Sequence, residues 1–211
     1  MDTIDLSWNS DAISENLWKR VEITDLRLAH CALTELPEEI GNLANLETLY
    51  ANFNELSRLP AAIGKLRLLK EAWLNDNKLK SLPNEFGSLN QLRVVDLSNN
   101  EITAFPDQLL SLGQLRELRL TGNRIREISR PFDKLCELRS LSLGANDFHR
   151  FPDEVFSAKK IESLTLQNNP ITELPMDLFE ELKSLRFVNV KRTRLSKMPI
   201  IPDGRIVNIL R

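Results

Sequence analysis

The sequence has few of the features that mark disordered or membrane-spanning chains. Only 7 Gly occur in 211 residues, and the 10 Pro mostly recur at one position of a repeat, so extended disorder is not expected. No segment approaches the roughly 18 consecutive apolar residues of a transmembrane helix. The 28 basic and 30 acidic side chains nearly balance. That balance gives no support for a nucleic-acid or anionic-membrane partner, since both usually require a basic patch.

Cysteine is also scarce, which bears on the cellular compartment. The 2 Cys are too few for the disulfide-rich caps of secreted repeat proteins. Cys31 and Cys136 lie four repeats apart, roughly 20 Å at about 4.8 Å per strand, which is too far for a disulfide. The N-terminus carries acids where a signal peptide needs basic and apolar residues, and no Asn-x-Ser/Thr acceptor occurs. We therefore expect a cytoplasmic protein with reduced thiols; a secreted bacterial effector acting in a host cytoplasm is the alternative.

One template recurs along nearly the whole chain. It is clearest in residues 92–102, where apolar residues occupy positions one, four, six and eleven and Asn100 occupies position nine. The template begins again every 23 residues, and once after 24, at Ile23, Leu46, Leu69, Leu92, Leu115, Leu138, Ile161 and Leu185. A fixed period in this range predicts a solenoid, in which no unit buries its apolar face alone.

Each repeat has two halves with different patterns. The first half alternates apolar and polar residues, which predicts a short strand, and stacked repeats would align these strands into one parallel sheet. The amides at position nine would lie inside and satisfy backbone groups where the chain leaves the strand. The second half carries Leu-Pro-x-x-Ile-Gly-x-Leu, as in residues 36–43. There Pro is expected to open a helical turn and Gly to close it in a left-handed conformation.

Later repeats drift from this second half, as two of them illustrate. Ser129 stands where Pro is usual and Asp133 replaces Gly, and residues 174–182 contain one additional residue. We expect these changes to lengthen or loosen the outer turns while leaving the strand spacing intact.

The repeat resembles that of leucine-rich repeat proteins, of the type found in intracellular Ras-associated, scaffold and many bacterial members. The resemblance covers residues 23–199, which contain eight matching repeats. It implies an α/β solenoid, a curved horseshoe with a concave parallel β-sheet and short helical or 3-10 turns on the convex side. It also implies that ligands usually bind the concave face. It is specific for the fold and unspecific for the partner.

The two ends are expected to cap this solenoid within a single domain. Residues 1–22 match the template at Met1, Ile4, Leu6 and Asn9, and residues 10–20 predict a short helix with Ile13, Leu17 and Trp18 on one side. Residues 200–211 read as a turn followed by a last strand at residues 206–210 that covers the open end. A chain cut from a longer protein is the alternative to a C-terminal cap.

The candidate partner-binding residues lie at outward-facing positions of the predicted sheet. Position five of successive repeats holds Arg27, Tyr50, Trp73, Asp96, Arg119, Ser142, Thr165 and Asn189. Tyr50 and Trp73 fall on adjacent strands, with Val94 beside them and Phe53 near the rim. Arg27 flanks the two aromatics on one side, and Asp96 and Arg119 flank them on the other; these seven residues are the candidate site. Large aromatics bordered by charge have the composition of binding hot spots. The alternative is that the two rings merely pack against each other across the sheet.

Other features of the face are less informative. Ala51 and Ala72 replace large inward aliphatic residues, and a local change of curvature is one interpretation. Small polar residues line the C-terminal half of the sheet, where they are either solvated or admit a flat partner surface. Position two forms a basic stripe, which contains Lys70, Arg93, Arg116, Arg139 and Arg186. We interpret this stripe as a solvated edge of the molecule rather than a phosphate-binding site.

No residue pattern predicts catalysis. The neighbouring His30 and Cys31 could suggest a nucleophile pair, but Cys31 is expected to point inward and His30 toward the rim, with no third residue to orient the imidazole. No residues have metal-ligand spacing, and no phosphate-binding Gly loop occurs. We therefore expect no enzyme activity, no metal and no cofactor.

The sequence thus predicts a monomeric, non-catalytic protein-interaction module, a scaffold, adaptor or regulator that binds a protein partner through the concave face. The alternative is a targeting or substrate-recognition part of a larger enzyme or effector system whose catalytic part lies elsewhere.

Overall fold

The computed structural model describes residues 2–211 of the chain, so the template match at Met1 lies outside the described residues. Ten strands form one sheet in chain order, each parallel to its neighbours. They are β1 (Asp2–Asp5), β2 (Ile23–Arg27), β3 (Thr48–Tyr50), β4 (Glu71–Trp73), β5 (Val94–Asp96), β6 (Glu117–Arg119), β7 (Ser140–Ser142), β8 (Ser163–Thr165), β9 (Phe187–Asn189) and β10 (Asn208–Leu210). The predicted solenoid is confirmed.

The register of the sheet brings equivalent positions of successive repeats together. Tyr50 pairs with Trp73, and Trp73 pairs with Asp96. The same one-to-one register continues through β3 to β9, including the step of 24 residues before β9. Ala51 and Ala72 are both buried, and Ala72 pairs with Leu49 without a shift in register. Every template position therefore becomes a column that runs along the solenoid.

Short 3-10 helices form most of the turns opposite the sheet. They span Ser10–Ala12, Leu17–Lys19, Glu38–Asn42, Ala61–Lys65, Asn84–Ser88, Asp107–Ser111 and Asp153–Ser157. In the last five, a proline with extended backbone immediately precedes the helix. The prediction that Pro marks the start of the turn is confirmed. However, Pro is the N-cap residue and not the first helical residue.

The predicted role of glycine in these turns is wrong. Gly41, Gly64 and Gly87 lie within the 3-10 helices, and none has a positive φ. Glycine suits these positions because neighbouring turns approach closely. The contact is tightest at Gly64, where a Cβ would lie 2.5 Å from the backbone oxygen of Glu85. A side chain at this position would push two repeats apart, so the constraint is steric and lies between repeats.

The two irregular repeats change only their outer turns. In the part of the chain that the structure describes, residues 129–137 contain no regular helix, and Phe132 from this irregular turn is buried in the core. The repeat with one additional residue instead forms a short α-helix, α1 (Leu178–Glu181). An α-helical turn takes up more residues than a 3-10 turn, which accounts for this change. The strand spacing is retained, as predicted.

The predicted amide ladder is confirmed. The position-nine residues Asn54, Asn77, Asn100, Asn123, Asn146 and Asn169 are all buried. Asn100 is representative: its Nδ2 donates to the carbonyls of Leu74 and Leu97, each at 3.0 Å, and its Oδ1 accepts from Leu79 N–H at 2.9 Å. Each amide therefore ties its own repeat to the one before it. A buried backbone group left unpaired typically costs about 1–3 kcal/mol, so the ladder contributes to holding the stack together.

At both ends a strand covers the outermost repeat. β1 pairs with β2, with a register irregularity after Asp2, and β10 pairs with β9. The predicted helix over residues 10–20 is two 3-10 turns instead, which bury Leu17 and Trp18. The predicted last strand is shorter than expected, because Ile206 lies outside it and is exposed. The division into caps and eight repeats remains a prediction.

Candidate partner-binding site

The outward-facing residues of β2 to β6 form a continuous stack on the sheet. The rings of Tyr50 and Trp73 are nearly parallel, with centroids 5.9 Å apart. The guanidinium of Arg27 lies over the Tyr50 ring and that of Arg119 lies over the Trp73 ring, each 5.2 Å from the centroid. We call these four residues the face column. The guanidinium groups cover the outer faces of the two rings, so the column offers mainly ring edges to solvent.

Carboxylates hold the two arginines in place. Arg27 Nε donates to Asp25 Oδ1 at 2.9 Å, and Arg119 is held by Glu117 at 2.7 Å. Glu71 accepts a hydrogen bond from Trp73 Nε1 at 3.0 Å, which fixes the orientation of the indole. Each of these acids is two residues before its partner on the same strand, so both side chains project from the same side of the sheet. The column is thereby preorganised.

Asp96 has a different environment from the other acids. It lies between Trp73 and Arg119 in the register, and only 6% of its surface is exposed. Its Oδ1 accepts from Ser98 N–H at 2.9 Å and its Oδ2 lies 3.4 Å from Arg119. Asp96 therefore supports the position of Arg119 over the indole and offers little surface of its own.

Burial also affects the phenol of Tyr50. Desolvation raises the pKa of Tyr50 above its ordinary value, and the negative charges of Glu71 and Asp25 raise it further, while Arg27 acts in the opposite direction. The neutral phenol is therefore the favoured form in the folded protein.

The structure separates the predicted site residues into two groups. Arg27, Tyr50, Trp73, Asp96 and Arg119 lie together, as the spacing predicts. Val94 is half-buried beside them and pairs with Glu71 and Glu117. Phe53, however, stacks away from the face column, on His30.

This second stack was missed by the sequence analysis. Trp8 stacks on His30 with centroids 3.7 Å apart, and His30 stacks on Phe53 with centroids 4.4 Å apart. These three residues, which we call the rim column, follow the ends of β1, β2 and β3 by three residues each. They share position eight of the template. The signal was available, because Trp8 occupies position eight of the degenerate first unit.

Position eight has an unusual backbone conformation throughout the solenoid. All of its residues have φ between 49° and 74°: Trp8, His30, Phe53, Asp76, Asn99, Gly122, Ala145, Asn168 and Arg192. Glycine, asparagine and aspartate adopt this left-handed conformation most readily, whereas bulky residues adopt it rarely. Backbone hydrogen bonds to the next repeat hold it in place, such as that from Trp8 N–H to the Ala29 carbonyl at 2.9 Å.

The remaining candidates on this side of the molecule are less distinctive. In the C-terminal half, the amide of Gln167 lies over Gly144, where a Cβ would meet it at 2.3 Å. In the basic stripe, Lys70 is paired with Glu47 at 2.6 Å and Arg139 with Glu162 at 2.8 Å. Acids from adjacent repeats therefore neutralise part of the stripe, which supports its interpretation as a soluble edge.

The Cys31 and His30 side chains diverge, as predicted. Cys31 is buried and its Sγ lies 3.1 Å from the carbonyl oxygen of Leu6, in the position-nine ladder, whereas His30 belongs to the rim column. Among residues 2–211, no group of three or more His, Cys, Asp or Glu side chains could hold a metal ion. No helix within that range has the length and apolar character that a bilayer crossing needs.

Comparisons with known proteins agree with this architecture. A family model described as leucine-rich repeat region matches residues 2–121, and a second, described as leucine rich repeat, matches residues 136–195. Comparison with curated proteins gives no significant match.

Two solved structures illustrate the likeness. A leucine-rich repeat protein of Leptospira interrogans is 30% identical, with a TM-score of 0.71 over 89% of this chain and 53% of its own. The plant peptide hormone receptor RGFR1, solved in complex with RGF2, is 29% identical, with a TM-score of 0.71 over 86% of this chain and 31% of its own. The chain thus spans about half the length of the first of these proteins and about a third of the second.

The parallel sheet, the amide ladder and the short opposing turns define a curved solenoid of the protein-interaction class. The chain belongs to the leucine-rich repeat family.

Proposed function

We propose that this protein is a non-catalytic scaffold, adaptor or regulator that binds a protein partner through the concave face. The observation that carries the proposal is the face column, in which Arg27 and Arg119 enclose the stacked rings of Tyr50 and Trp73. Aromatic and arginine side chains dominate the energetics of protein interfaces. Because internal carboxylates already hold the column, little side-chain entropy is lost on binding.

Each of the predicted site residues has a distinct role in this proposal. Tyr50 and Trp73 are the anchors. Arg27 sets the orientation of the partner, since its Nε is held by Asp25 while the side chain stays 44% exposed. Asp96 acts through Arg119, which it helps to position over the indole. Val94 extends the apolar surface beside Trp73, and Phe53 contributes from the rim column.

The test is an affinity pull-down from native cell extract with mass spectrometry, comparing wild type with Tyr50→Ala/Trp73→Ala. We expect a specific partner to be lost with the double variant, because truncating a buried anchor costs about 2 kcal/mol or more, roughly 30-fold in Kd. Circular dichroism must show that the variant is folded. A Ser142→Ala/Thr165→Ala variant, at the same template position farther along the sheet, is the matched control. If the partner is retained by the double variant, the concave site is wrong.

The alternative function is the targeting or substrate-recognition part of a larger enzyme or effector system. What favours it is the length comparison, because in both solved neighbours the matching repeats are part of a longer chain. The two functions are distinguished by sequencing the full transcript. A catalytic domain encoded on the same transcript supports the alternative.

We further propose a cytoplasmic monomer that does not bind nucleic acid. The free thiols of Cys31 and Cys136 and the near balance of charge support this proposal. Cell fractionation and analytical ultracentrifugation test the first two points. Partner binding that is insensitive to salt would support the third.

A further inference from the structure

The rim column contains the two most exposed Trp, Tyr or Phe side chains among residues 2–211. Trp8 is 75% exposed and Phe53 is 44% exposed, although both rings are ordered by stacking on His30. Large exposed aromatic side chains that lie next to one another mark interaction sites more often than scattered apolar residues do.

The column also places two bulky aromatic residues, Trp8 and Phe53, in an unfavourable backbone conformation. Elsewhere at position eight, the chain uses mostly small or short polar residues, such as Asn99, Gly122 and Asn168. Asparagine would fit the fold at positions 8 and 53 with less strain. Strained residues of this kind cluster where structure serves binding, so folding alone does not account for the aromatics here.

The two columns differ at their ends. In the face column, a guanidinium covers the outer face of each ring. In the rim column, one face of Trp8 lies on His30, and within residues 2–211 no other ring or guanidinium lies on Trp8. Trp8 therefore presents an open indole face at the N-terminal end of the solenoid. In the face column, the corresponding outer ring face is covered by an arginine.

The N-terminal segment that carries Trp8 is acidic. Asp2, Asp5, Asp11 and Glu15 are all exposed, and no Lys or Arg precedes Lys19. The pKa of Asp5 is lowered, mainly because its carboxylate accepts a hydrogen bond from Ser7 N–H at 2.9 Å, so this acid keeps its charge. An open aromatic face on an acidic segment favours a cationic group.

We infer that the rim column binds an arginine side chain of a protein partner, with the guanidinium stacked on the outer face of Trp8 and attracted by the acidic N-terminal segment. Arginine suits this site better than lysine because its planar, weakly hydrated guanidinium stacks on aromatic rings. The inference rests on the proposed function in that it assumes a protein partner, but it uses a different surface.

The experiment uses a displayed library of random 12-residue peptides, selected on the full chain. Binding of the selected peptides is then compared between wild type and Trp8→Asn, a change toward a residue that favours the local backbone, so folding should be unimpaired. Ala145→Asn, at the same template position six repeats away, is the matched control. We expect selected peptides to contain arginine and to lose about fivefold or more in affinity with Trp8→Asn, and none with Ala145→Asn.

Synthetic variants of the best peptide test the chemistry. Replacing its arginine by citrulline keeps the planar group and removes the charge, and we expect this to weaken binding as much as Trp8→Asn does. Combining the two changes should add little further loss, because both remove the same contact. Peptides that bind without arginine, or that bind Trp8→Asn as tightly as wild type, overturn the inference.

Two further outcomes separate this inference from the proposed function. Peptides that depend on Tyr50 and Trp73 but not on Trp8 would support the face column and overturn the arginine site. Self-association of the wild type that Trp8→Asn abolishes would assign the open indole to a second copy of the chain and would overturn the inference of a different protein partner.

Discussion

At the scale of single residues, the environment of Tyr50 depends on neighbours that are distant in sequence. Arg27 covers one face of its ring and Trp73 the other, and these residues come from the preceding and the following repeat. The side chain is consequently only partly exposed although it lies on the open face of the sheet. Its polar atom titrates in a partly desolvated site bordered by carboxylates.

This environment predicts a raised phenol pKa. Burial and the charges of Glu71 and Asp25 disfavour the phenolate, so Tyr50 should ionise above its ordinary pKa of about 10. Tyr50 is the only tyrosine, so ultraviolet absorbance during a pH titration reports it alone. Trp73→Ala should lower the pKa toward the ordinary value, whereas Trp8→Ala should leave it unchanged. A wild-type pKa at or below the ordinary value would contradict the described stack.

At the scale of elements, contacts between successive turns set which residues are permitted. The 3-10 helices Ala61–Lys65 and Asn84–Ser88 pack so closely that only glycine fits at position 64. By contrast, a Cβ on Gly113 would meet only the backbone oxygen of Lys134 at 3.4 Å, an ordinary contact. Gly64 is therefore needed to avoid a steric clash between turns, whereas Gly113 is not.

Substituting alanine at these two glycines should separate crowding from backbone entropy. Gly64→Ala should lower the free energy of unfolding by about 1–3 kcal/mol, because the new methyl group overlaps Glu85. Gly113→Ala should be neutral or stabilising by up to about 1 kcal/mol, since alanine restricts the unfolded chain. Urea denaturation measures both. Equal effects of the two variants would show that crowding between turns is unimportant.

At the scale of the whole molecule, stability should vary along the solenoid, because each repeat contacts only its neighbours. The C-terminal end depends on Arg205, whose guanidinium donates to the carbonyls of Phe179, Leu182 and Leu185. These carbonyls belong to the end of α1 and the turn that follows, and would otherwise lack intrahelical partners. One arginine thus connects the segment before β10 to the last outer turn.

Removing Arg205 should loosen that end alone. With Arg205→Ala, we expect faster amide hydrogen exchange in β9 and β10 and unchanged exchange in β4 to β6, as local opening of an end repeat requires. Arg194→Ala is the control, since Arg194 is exposed and has no side-chain hydrogen bond among the described residues. Exchange that rises equally in all strands would show that the solenoid opens as one unit.

The sequence by itself determined the repeat, the strands, the buried amide ladder and the residues that share the outward face. These follow from a local code: a 23-residue period with apolar residues at fixed positions leaves one way to stack the units. The order Arg27, Tyr50, Trp73, Asp96, Arg119 was predictable for the same reason, because a constant register converts the period into columns.

Only the tertiary structure decided which side chains of neighbouring repeats stack, and which surfaces stay exposed. It showed that arginines close both ends of the face column, that Phe53 joins Trp8 and His30 instead, and that Gly64 avoids a clash rather than adopting a left-handed turn. These outcomes depend on distances of a few ångströms between side chains of different repeats. A period read along one chain fixes which residues are neighbours, but not which ring faces remain open between them.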